Sequence, residues 1–219
     1  MHGHELLATL QAQAAPAVAA VLRHAARHPI QDPARPELAE LTEAGWRDAE
    51  AFGGRLTGYD RVRLFHSPIK RCRQTAEGIA RGAARAGLVV EVAGERPELG
   101  VDYILDLAET GRLSVVHGEH FVRLWFGGEV SAQLIRGAPE IAARKLGYLA
   151  ARLREPVPAG RRLDLHVSHD WNVLVLRERL LGVRHEEAGW AHYLDGVTFT
   201  GEGGGLRAVY RDQVRPVQG

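Results

Sequence analysis

Short apolar runs alternate with longer segments of helical spacing, and this alternation constrains the fold more than any other feature of the sequence. Runs with the length of a buried strand lie at 17–22, 61–65 and 88–92. Segments with apolar residues at helical spacing lie between them at 41–56, where Thr42 is a typical N-cap, and at 75–86. Parallel strands need such helical crossovers, whereas antiparallel strands need only a turn. We therefore expect an α/β fold of three layers, α/β/α, with a mostly parallel central sheet.

The rest of the chain continues this pattern around one irregular segment. Residues 94–137 break the alternation, and we expect them to form a helical insertion, or cap, that packs over one end of the sheet. Further elements are expected as a helix at 138–154, a strand at 163–168, a helix that ends near Leu181, and hairpin strands at 197–200 and 206–210. The chain has 219 residues and no linker-like stretch, so residues 1–219 are predicted to form a single domain.

Charge and cysteine content exclude several classes of protein. The formal net charge is only +1, so no overall field draws the chain to nucleic acid or to a membrane. No apolar stretch is long enough to span a bilayer, and the N-terminal segment lacks the positive start of a signal peptide. The single cysteine, Cys72, cannot form an internal disulfide and fits a reducing compartment. We expect a cytoplasmic protein that binds neither nucleic acid nor membranes.

Three of the predicted strands end in a cluster of polar side chains. These clusters are Arg23, His24 and Arg27 after the first strand, residues 66–68 and Arg71 after the second, and residues 168–170 after the fourth. The carboxyl ends of parallel strands lie along one edge of a sheet, where open α/β folds bind ligands. We therefore expect six side chains from distant segments to converge there: His24, His169, Asp170, Arg23, Arg27 and Arg71.

These side chains suit the transfer of a phosphoryl group. Three guanidinium groups can bind a dianionic phosphate through paired hydrogen bonds and stabilise its charge as phosphorus is attacked. The like charge of the arginines should lower the pKa of His24, and the neutral imidazole is a nucleophile. His169 can donate to the phosphoryl oxygens, while Asp170 can protonate the departing alkoxide and later activate water. Because arginine supplies the positive charge, no metal or other cofactor is expected.

At these residues the sequence resembles the histidine phosphatase superfamily, which has a phosphoglycerate mutase-like fold. Residues 22–29 (LRHAARHP) resemble its Arg-His-Gly-x-Arg-x-Pro signature, with alanine in place of the glycine. Residues 41–45 (LTEAG) and 67–76 (SPIKRCRQTA) match its Leu-Thr-Glu-x-Gly and Ser-Pro-x-x-Arg-x-x-Gln-Thr-Ala segments. The His-Asp element at 169–170 is like that of the acid phosphatase branch. The resemblance covers most of 21–92 and 163–181.

The resemblance implies a phosphoric monoester hydrolase that forms a phosphohistidine on His24. It also implies a phosphate pocket made of Arg23, Arg27, Arg71 and His169. The proton donor stays open. Asp170 is preferred because it follows His169 directly, as in the acid phosphatase branch, whereas Glu95 and Glu98 lie roughly where the mutase branch has its glutamate.

Three alternatives remain. A metal-dependent hydrolase would use His166 together with the pair at 169–170. A phosphomutase of the same fold would return the phosphoryl group to an organic acceptor, and a phospholigand-binding regulatory module would not turn over. We expect the substrate to be a small-molecule phosphate ester or a phosphoprotein, chosen by the insertion. Its aromatic residues Tyr103, Phe121 and Trp125 line either a leaving-group site or the core, and the sequence does not indicate an oligomeric state.

Overall fold

The computed structural model describes residues 2–32, 35–157, 159–202 and 204–218. The α-helices are α1 (His4–Gln11), α2 (Glu43–Gly53), α3 (Lys70–Arg85), α4 (Leu107–His117), α5 (His120–Gly127), α6 (Ala138–Leu153), α7 (Asp170–Leu181) and α8 (His185–Ala188). The strands are β1 (Ala17–Arg23), β2 (Arg61–His66), β3 (Val89–Glu95), β4 (Arg162–Ser168), β5 (Gly196–Glu202), β6 (Gly205–Tyr210) and β7 (Gln213–Val217). Two short 3-10 helices occupy Pro36–Leu38 and Pro97–Leu99.

The seven strands form one sheet in the order β3-β2-β4-β1-β5-β6-β7. The first four in this order pair in parallel, which confirms the expected parallel centre of the sheet. The last three continue it with antiparallel pairing, and β5 and β6 form the expected hairpin. Within the described ranges, no helix is both long and apolar enough to cross a membrane.

Helices cover both faces of the sheet, as the three-layer expectation requires. Successive side chains of a strand point to opposite faces, so each buried strand contributes to two cores. Val18 and Leu22 of β1 pack with α1, α2 and α3 on one face. Ala19 and Val21 pack with α5, α6 and α7 on the other. The sheet therefore buries apolar side chains on both faces. Strands β2 and β4 also carry buried polar side chains along their length, among them Asp164, which pairs with Arg63, and His166.

Several element boundaries differ from the expectations. Helix α3 begins at Lys70, five residues before the predicted start at Thr75. The prediction missed the first turn because this turn is polar and carries no apolar pattern of helical spacing. Strand β3 runs to Glu95, so the assignment of 94–137 as a segment without a sheet strand is wrong at its first two residues. Strand β7 and helix α8 were not predicted. The predicted N-cap is confirmed, since Thr42 Oγ1 accepts a hydrogen bond of 3.0 Å from Gly45 N.

The aromatic side chains of the insertion pack into the core beside the sheet. Tyr103 and Trp125 stack at 5.5 Å between ring centroids, and Phe121 stacks on Trp171 of α7 at 5.4 Å. Tyr103, Phe121 and Trp125 are all buried within the core on the α6–α7 face. Of the two interpretations of these side chains, the structure supports core packing.

Glycines allow α2 and α3 to approach each other closely. A Cβ atom at Gly82 of α3 would overlap the carbonyl oxygen of Glu50 in α2, and one at Gly53 would overlap the carbonyl oxygen of Ile79. These overlaps involve backbone atoms, so they cannot be relieved by a rotamer change. The two glycines therefore set how closely α2 and α3 pack.

We expect Gly82→Ala to lower the free energy of unfolding by about 1–3 kcal/mol, because the helices must separate to make room for the methyl group. Gly147→Ala is the matched control, since Gly147 is an exposed residue within α6 whose Cβ position is open. It should instead stabilise by about 0.5–1 kcal/mol through helix propensity. Urea unfolding of both variants measures the difference, and equal effects would contradict the glycine contact.

Candidate active site

The register between β1 and β4 brings two histidines to the same level. The strands pair in parallel with Arg23 opposite Ser168, so the next residues, His24 and His169, leave the sheet side by side. The backbone N–H of His24 donates to Ser168 O at 3.0 Å, which extends the ladder by one bond. Their rings lie 5.8 Å apart between centroids in an edge-on arrangement. Convergence of these two sequence-predicted residues is therefore a direct result of strand pairing.

His24 is held in a single orientation by both ring nitrogens. Its Nδ1 lies 2.8 Å from Ala25 O, a carbonyl oxygen that can only accept, so Nδ1 carries the hydrogen. Its Nε2 lies 3.0 Å from Arg71 Nε, which donates to it. Nε2 therefore has the free lone pair. The backbone at Ala25 is fixed in turn, because its N–H donates to Thr75 Oγ1 at 3.0 Å.

His24 is poised as a neutral imidazole. Its side chain is only 3 % exposed, and this burial is the largest cause that lowers its pKa well below the usual value. The positive charge of Arg71 lowers the pKa further, followed by the charges of Arg23 and Arg27. The sequence analysis attributed the lowered pKa to the arginines alone, and burial is the cause it missed. A neutral imidazole with its Nε2 lone pair oriented is the form that can attack phosphorus.

His169 is also buried and neutral. Burial, followed by the charges of Arg71 and His24, lowers its pKa well below the usual value. Ser67 Oγ lies 2.9 Å from His169 Nε2 and accepts from Ile69 N at 3.3 Å. This contact fits either tautomer, because Ser67 can donate to Nε2 or accept from Nε2–H. In the first tautomer Nδ1 carries the hydrogen, and a phosphoryl oxygen could accept from it.

Arg23 and Asp170 form an ion pair beside the two histidines. Arg23 Nη2 lies 3.1 Å from Asp170 Oδ2, and Arg23 Nη1 donates to Ala191 O at 2.7 Å. Asp170 also accepts from Trp190 Nε1 at 3.1 Å and from Trp171 N at 3.0 Å. These three partners of the carboxylate are all hydrogen-bond donors. Asp170 is the first residue of α7.

The other two arginines come from α3 and from the loop after β1. Arg71 projects from the first turn of α3, and its Nη1 also donates to Pro36 O at 2.8 Å. Arg27 donates to His28 O at 2.8 Å, and its charge acts on both His24 and Arg71. The structure thus pairs Arg71 with His24 and Arg23 with Asp170, places the ring of His169 beside that of His24, and holds Arg27 within electrostatic reach.

The alternative acids lie apart from this cluster. Glu95 and Glu98 are both exposed, and among the described residues neither carboxylate hydrogen-bonds to the two histidines or to Arg71. The neighbouring histidines fill structural positions. His66 is buried with Nδ1 against Ser67 O at 2.9 Å. His166 stacks on a phenylalanine ring, and burial lowers its pKa to about 3, which keeps it neutral.

Potential metal ligands gather elsewhere. In the described ranges one group of three has its ligand atoms within 4.8 Å of one another, namely Glu178, His185 and Glu186. Arg123 already bridges both of these carboxylates through paired hydrogen bonds of 2.6–3.0 Å, so a cation occupies the position an ion would need. His166, His169 and Asp170 do not form such a group within those ranges. The metal-dependent alternative therefore finds no support in the geometry.

The sequence analysis missed Tyr193, which covers the site. Its ring lies 5.8 Å from the ring of His24, and the Arg23 guanidinium stacks over it at 4.3 Å. The next residue, Leu194, is fully buried with φ of 59°, a conformation that is uncommon for a branched side chain. Its N–H donates to Arg23 O at 3.1 Å and so fixes the loop at the end of β1. No local pattern around Tyr193 could have indicated this placement.

Comparisons with known proteins agree with the fold. Residues 16–95 match the family model of the histidine phosphatase superfamily, branch 1. No curated protein matches the sequence. Among solved structures, a mycobacterial hydrolase is similar with TM-score 0.60 and 20 % identity, over 90 % of this chain and 98 % of that one. A mycobacterial glucosyl-3-phosphoglycerate phosphatase has TM-score 0.59 and 18 % identity, over 91 % and 95 %. A phosphoserine phosphatase variant from Entamoeba histolytica has TM-score 0.59 and 16 % identity, over 90 % and 97 %.

The architecture and the edge of the sheet that carries the histidines define a phosphoglycerate mutase-like α/β protein. Over residues 16–95 the sequence is similar to the histidine phosphatase superfamily. This similarity supports a phosphatase or a phosphomutase. The matched range ends at residue 95, so the His-Asp element at 169–170, which resembles the acid phosphatase branch, lies outside it.

We expect Tyr193→Ala to expose His24, which can be measured by acylation with diethyl pyrocarbonate and mass mapping of the histidine peptides. The reagent attacks neutral imidazole. An ordinary exposed imidazole, with a pKa of about 6.5, loses roughly nine-tenths of its neutral form between pH 7.5 and 5.5. Exposure removes the largest cause of the lowered pKa of His24 but leaves the charges of the arginines. The rate of His24 should therefore fall less over this interval than that of an ordinary exposed imidazole. Equal rates for His24 in wild type and in Tyr193→Ala would contradict the cover, and Tyr193→Phe is the matched control.

Proposed function

We propose that this protein is a metal-independent phosphomonoester hydrolase that works through a phosphohistidine on His24. The observation that carries the proposal is the state of His24: a buried, neutral imidazole whose Nδ1–H donates to a carbonyl and whose Nε2 lone pair accepts from Arg71. Such an imidazole can attack phosphorus without a separate base once Arg71 has moved to the phosphate. The match of residues 16–95 to the histidine phosphatase superfamily supports the same chemistry.

In the first step the phosphate group of the substrate replaces the contacts that the pocket residues now make with one another. Arg71 leaves His24 Nε2 for a phosphoryl oxygen, and His169, Arg23 and Arg27 donate to the others. Nε2 then forms a bond to phosphorus while the bond between phosphorus and the ester oxygen breaks. The arginines stabilise the charge on the equatorial oxygens in the transition state.

Asp170 becomes able to act as a general acid when the substrate phosphate takes Arg23 away from it. In the unliganded site Arg23 pairs with this carboxylate at 3.1 Å. A phosphate dianion that takes over Arg23 removes this pair and adds negative charge nearby, and both changes favour the protonated carboxyl group. Asp170 can then give its proton to the departing alkoxide. Trp190 stays hydrogen-bonded to it at 3.1 Å and holds its orientation.

In the second step the roles reverse. Asp170, now a carboxylate, accepts a proton from water as the water oxygen attacks the phosphorus of phosphohistidine. The bond between phosphorus and Nε2 breaks, inorganic phosphate leaves, and His24 returns to its neutral form. A phosphomutase of the same fold would deliver the phosphoryl group to an organic hydroxyl instead of water. Product analysis with a phosphoglycerate distinguishes these two functions, because only hydrolysis releases inorganic phosphate.

We propose a small-molecule phosphate ester or a phosphoprotein as substrate. The similar structures named above include phosphatases of glucosyl-3-phosphoglycerate and of phosphoserine, which supports the small-molecule class. The cover over His24 argues for a substrate that enters as Tyr193 moves aside, and its ring would then lie beside the leaving group. Nucleic acid and membrane lipids are not proposed, in keeping with the near-neutral charge.

The direct test is hydrolysis of p-nitrophenyl phosphate with EDTA present, over about pH 4 to 8, a range that spans carboxylate and imidazole titration. Wild type should be active and His24→Ala inactive, and only wild type should acquire an acid-labile phosphoryl label. The matched control is His117→Ala, which removes an exposed histidine of α4 and should retain full activity. Full activity in His24→Ala would overturn the mechanism. Vanadate that binds without turnover in wild type would favour the binding module.

Asp170→Asn tests the proton donor. We expect kcat/KM for an alkyl phosphate to fall by roughly 10²–10⁴-fold, the usual contribution of a general acid. The fall for p-nitrophenyl phosphate should be much smaller, because its leaving group needs no proton. The ratio between the two substrates is the readout, since a simple loss of the Arg23 contact would slow both equally. An unchanged ratio in Asp170→Asn, with a changed ratio in Glu98→Gln or Glu95→Gln, would assign the acid to that glutamate.

A further inference from the structure

A cavity of about 510 Å³ lies between α6 and the segment that follows β3. Its walls include Tyr103, Ile141, Lys145 and Tyr148. The other charged residues of the lining are two arginines and two acids, namely Arg144, Arg152, Glu98 and Asp102. None of the six side chains assigned to the His24 pocket lines it. Cavities of this size hold small organic molecules, and the lining combines apolar and aromatic groups with a few polar ones, as ligand sites usually do.

Lys145 is a buried cation with an incomplete set of partners. Its side chain is 5 % exposed, and Nζ donates to Glu98 O at 2.8 Å. It forms no ion pair with any residue in the described ranges, because the nearby Asp102 carboxylate is bound by Arg144 at 2.8 Å. Buried lysines are rare unless they are paired. Burial accordingly lowers the pKa of Lys145 to about 8.

A second unsatisfied group lines the same cavity. The hydroxyl of Tyr103 is fully buried and has no hydrogen-bond partner among the described residues. Arg152 Nε is in the same state, although its Nη1 pairs with Glu155 at 2.7 Å. Buried polar atoms nearly always have a partner, and each of these two is a donor.

We propose that this cavity binds a small organic anion, whose carboxylate or phosphate pairs with Lys145 and whose apolar body lies against Ile141 and the rings of Tyr103 and Tyr148. Arg144 and Arg152 already have carboxylate partners, so Lys145 is the cation left for the ligand. One free cation suits one anionic group. The site is separate from the His24 pocket and does not depend on the proposed hydrolase function.

A lysine rather than an arginine at position 145 suits a site that binds and releases its ligand. The chain has 28 lysines and arginines, and the only two lysines are Lys70 and Lys145. A buried lysine can release its proton when no anion is present, whereas arginine stays charged in every state. An anion raises the pKa of the neighbouring amine because opposite charge favours the charged form. Binding near pH 8 should therefore take up protons, and affinity should fall as the pH rises above 8.

Pyridoxal 5′-phosphate is a suitable probe, because it joins an anion to an aldehyde that reports contact with lysine. The neutral amine attacks the aldehyde carbon, water leaves, and borohydride delivers hydride to the resulting imine to give a stable secondary amine. The experiment uses the Lys70→Arg variant, in which Lys145 is the one lysine, at pH 8, with peptide mapping to separate the N-terminal amine. Lys145→Arg in the same background is the matched negative control.

The proposal expects Lys145 to be labelled by pyridoxal 5′-phosphate far more readily than by pyridoxal, which lacks the anion. Benzoate should protect Lys145, and benzyl alcohol, of the same shape without charge, should not. Adding Arg23→Ala, which weakens the His24 pocket, should leave the labelling unchanged. Equal labelling by both aldehydes would reduce Lys145 to a reactive amine, and loss of labelling on adding Arg23→Ala would assign the ligand to the His24 pocket. Labelling only after unfolding in urea would mean that the cavity admits no ligand. Any of these three results overturns the proposal.

Discussion

The parallel pairing of β1 with β4 is the constraint on which the rest of the site depends. With Arg23 opposite Ser168, the two histidines that follow leave the sheet at the same level. Strand β2 pairs with the other edge of β4, and Ser67 N donates to Val167 O at 3.0 Å, so the third polar segment ends at that level too. A slip of one residue in either pairing would turn the alternating side chains to the opposite face and separate the catalytic groups.

The site is built around neutral histidines in a cationic environment. Burial is the largest single cause of the lowered pKa of both His24 and His169. It disfavours the charged imidazolium before any ligand binds, so in the proposed mechanism a phosphate dianion would meet a nucleophile already in its reactive form. Without a ligand, Arg71 is bound to His24 and Arg23 to Asp170. Substrate binding as proposed would exchange these partners and keep the charged groups satisfied in both states.

The antiparallel strands support the site from a distance. Arg177 of α7 is fully buried and donates to the Tyr210 hydroxyl at 3.0 Å, which donates to Asp195 Oδ2 at 2.8 Å. The backbone oxygen of Asp195 accepts from Arg23 N at 2.9 Å. This chain of hydrogen bonds connects α7, β6 and the end of β1, and it supports the loop that places Tyr193 over His24. Buried networks of this kind hold one arrangement because each unsatisfied member would be costly.

The sequence by itself determined the alternation of strands and helices, the parallel centre of the sheet and the edge at which polar groups gather. These features follow from local apolar periodicity. Strands with apolar faces and helices with one apolar stripe can bury those surfaces against one another in only a few arrangements. The sequence could not place Tyr193 over His24, pair Arg23 with Asp170, or leave Lys145 buried without a counter-ion. Those contacts join residues far apart in the chain, and their distances depend on how the helices and loops pack. Local pattern carries no information about that packing, so only the tertiary structure decided them.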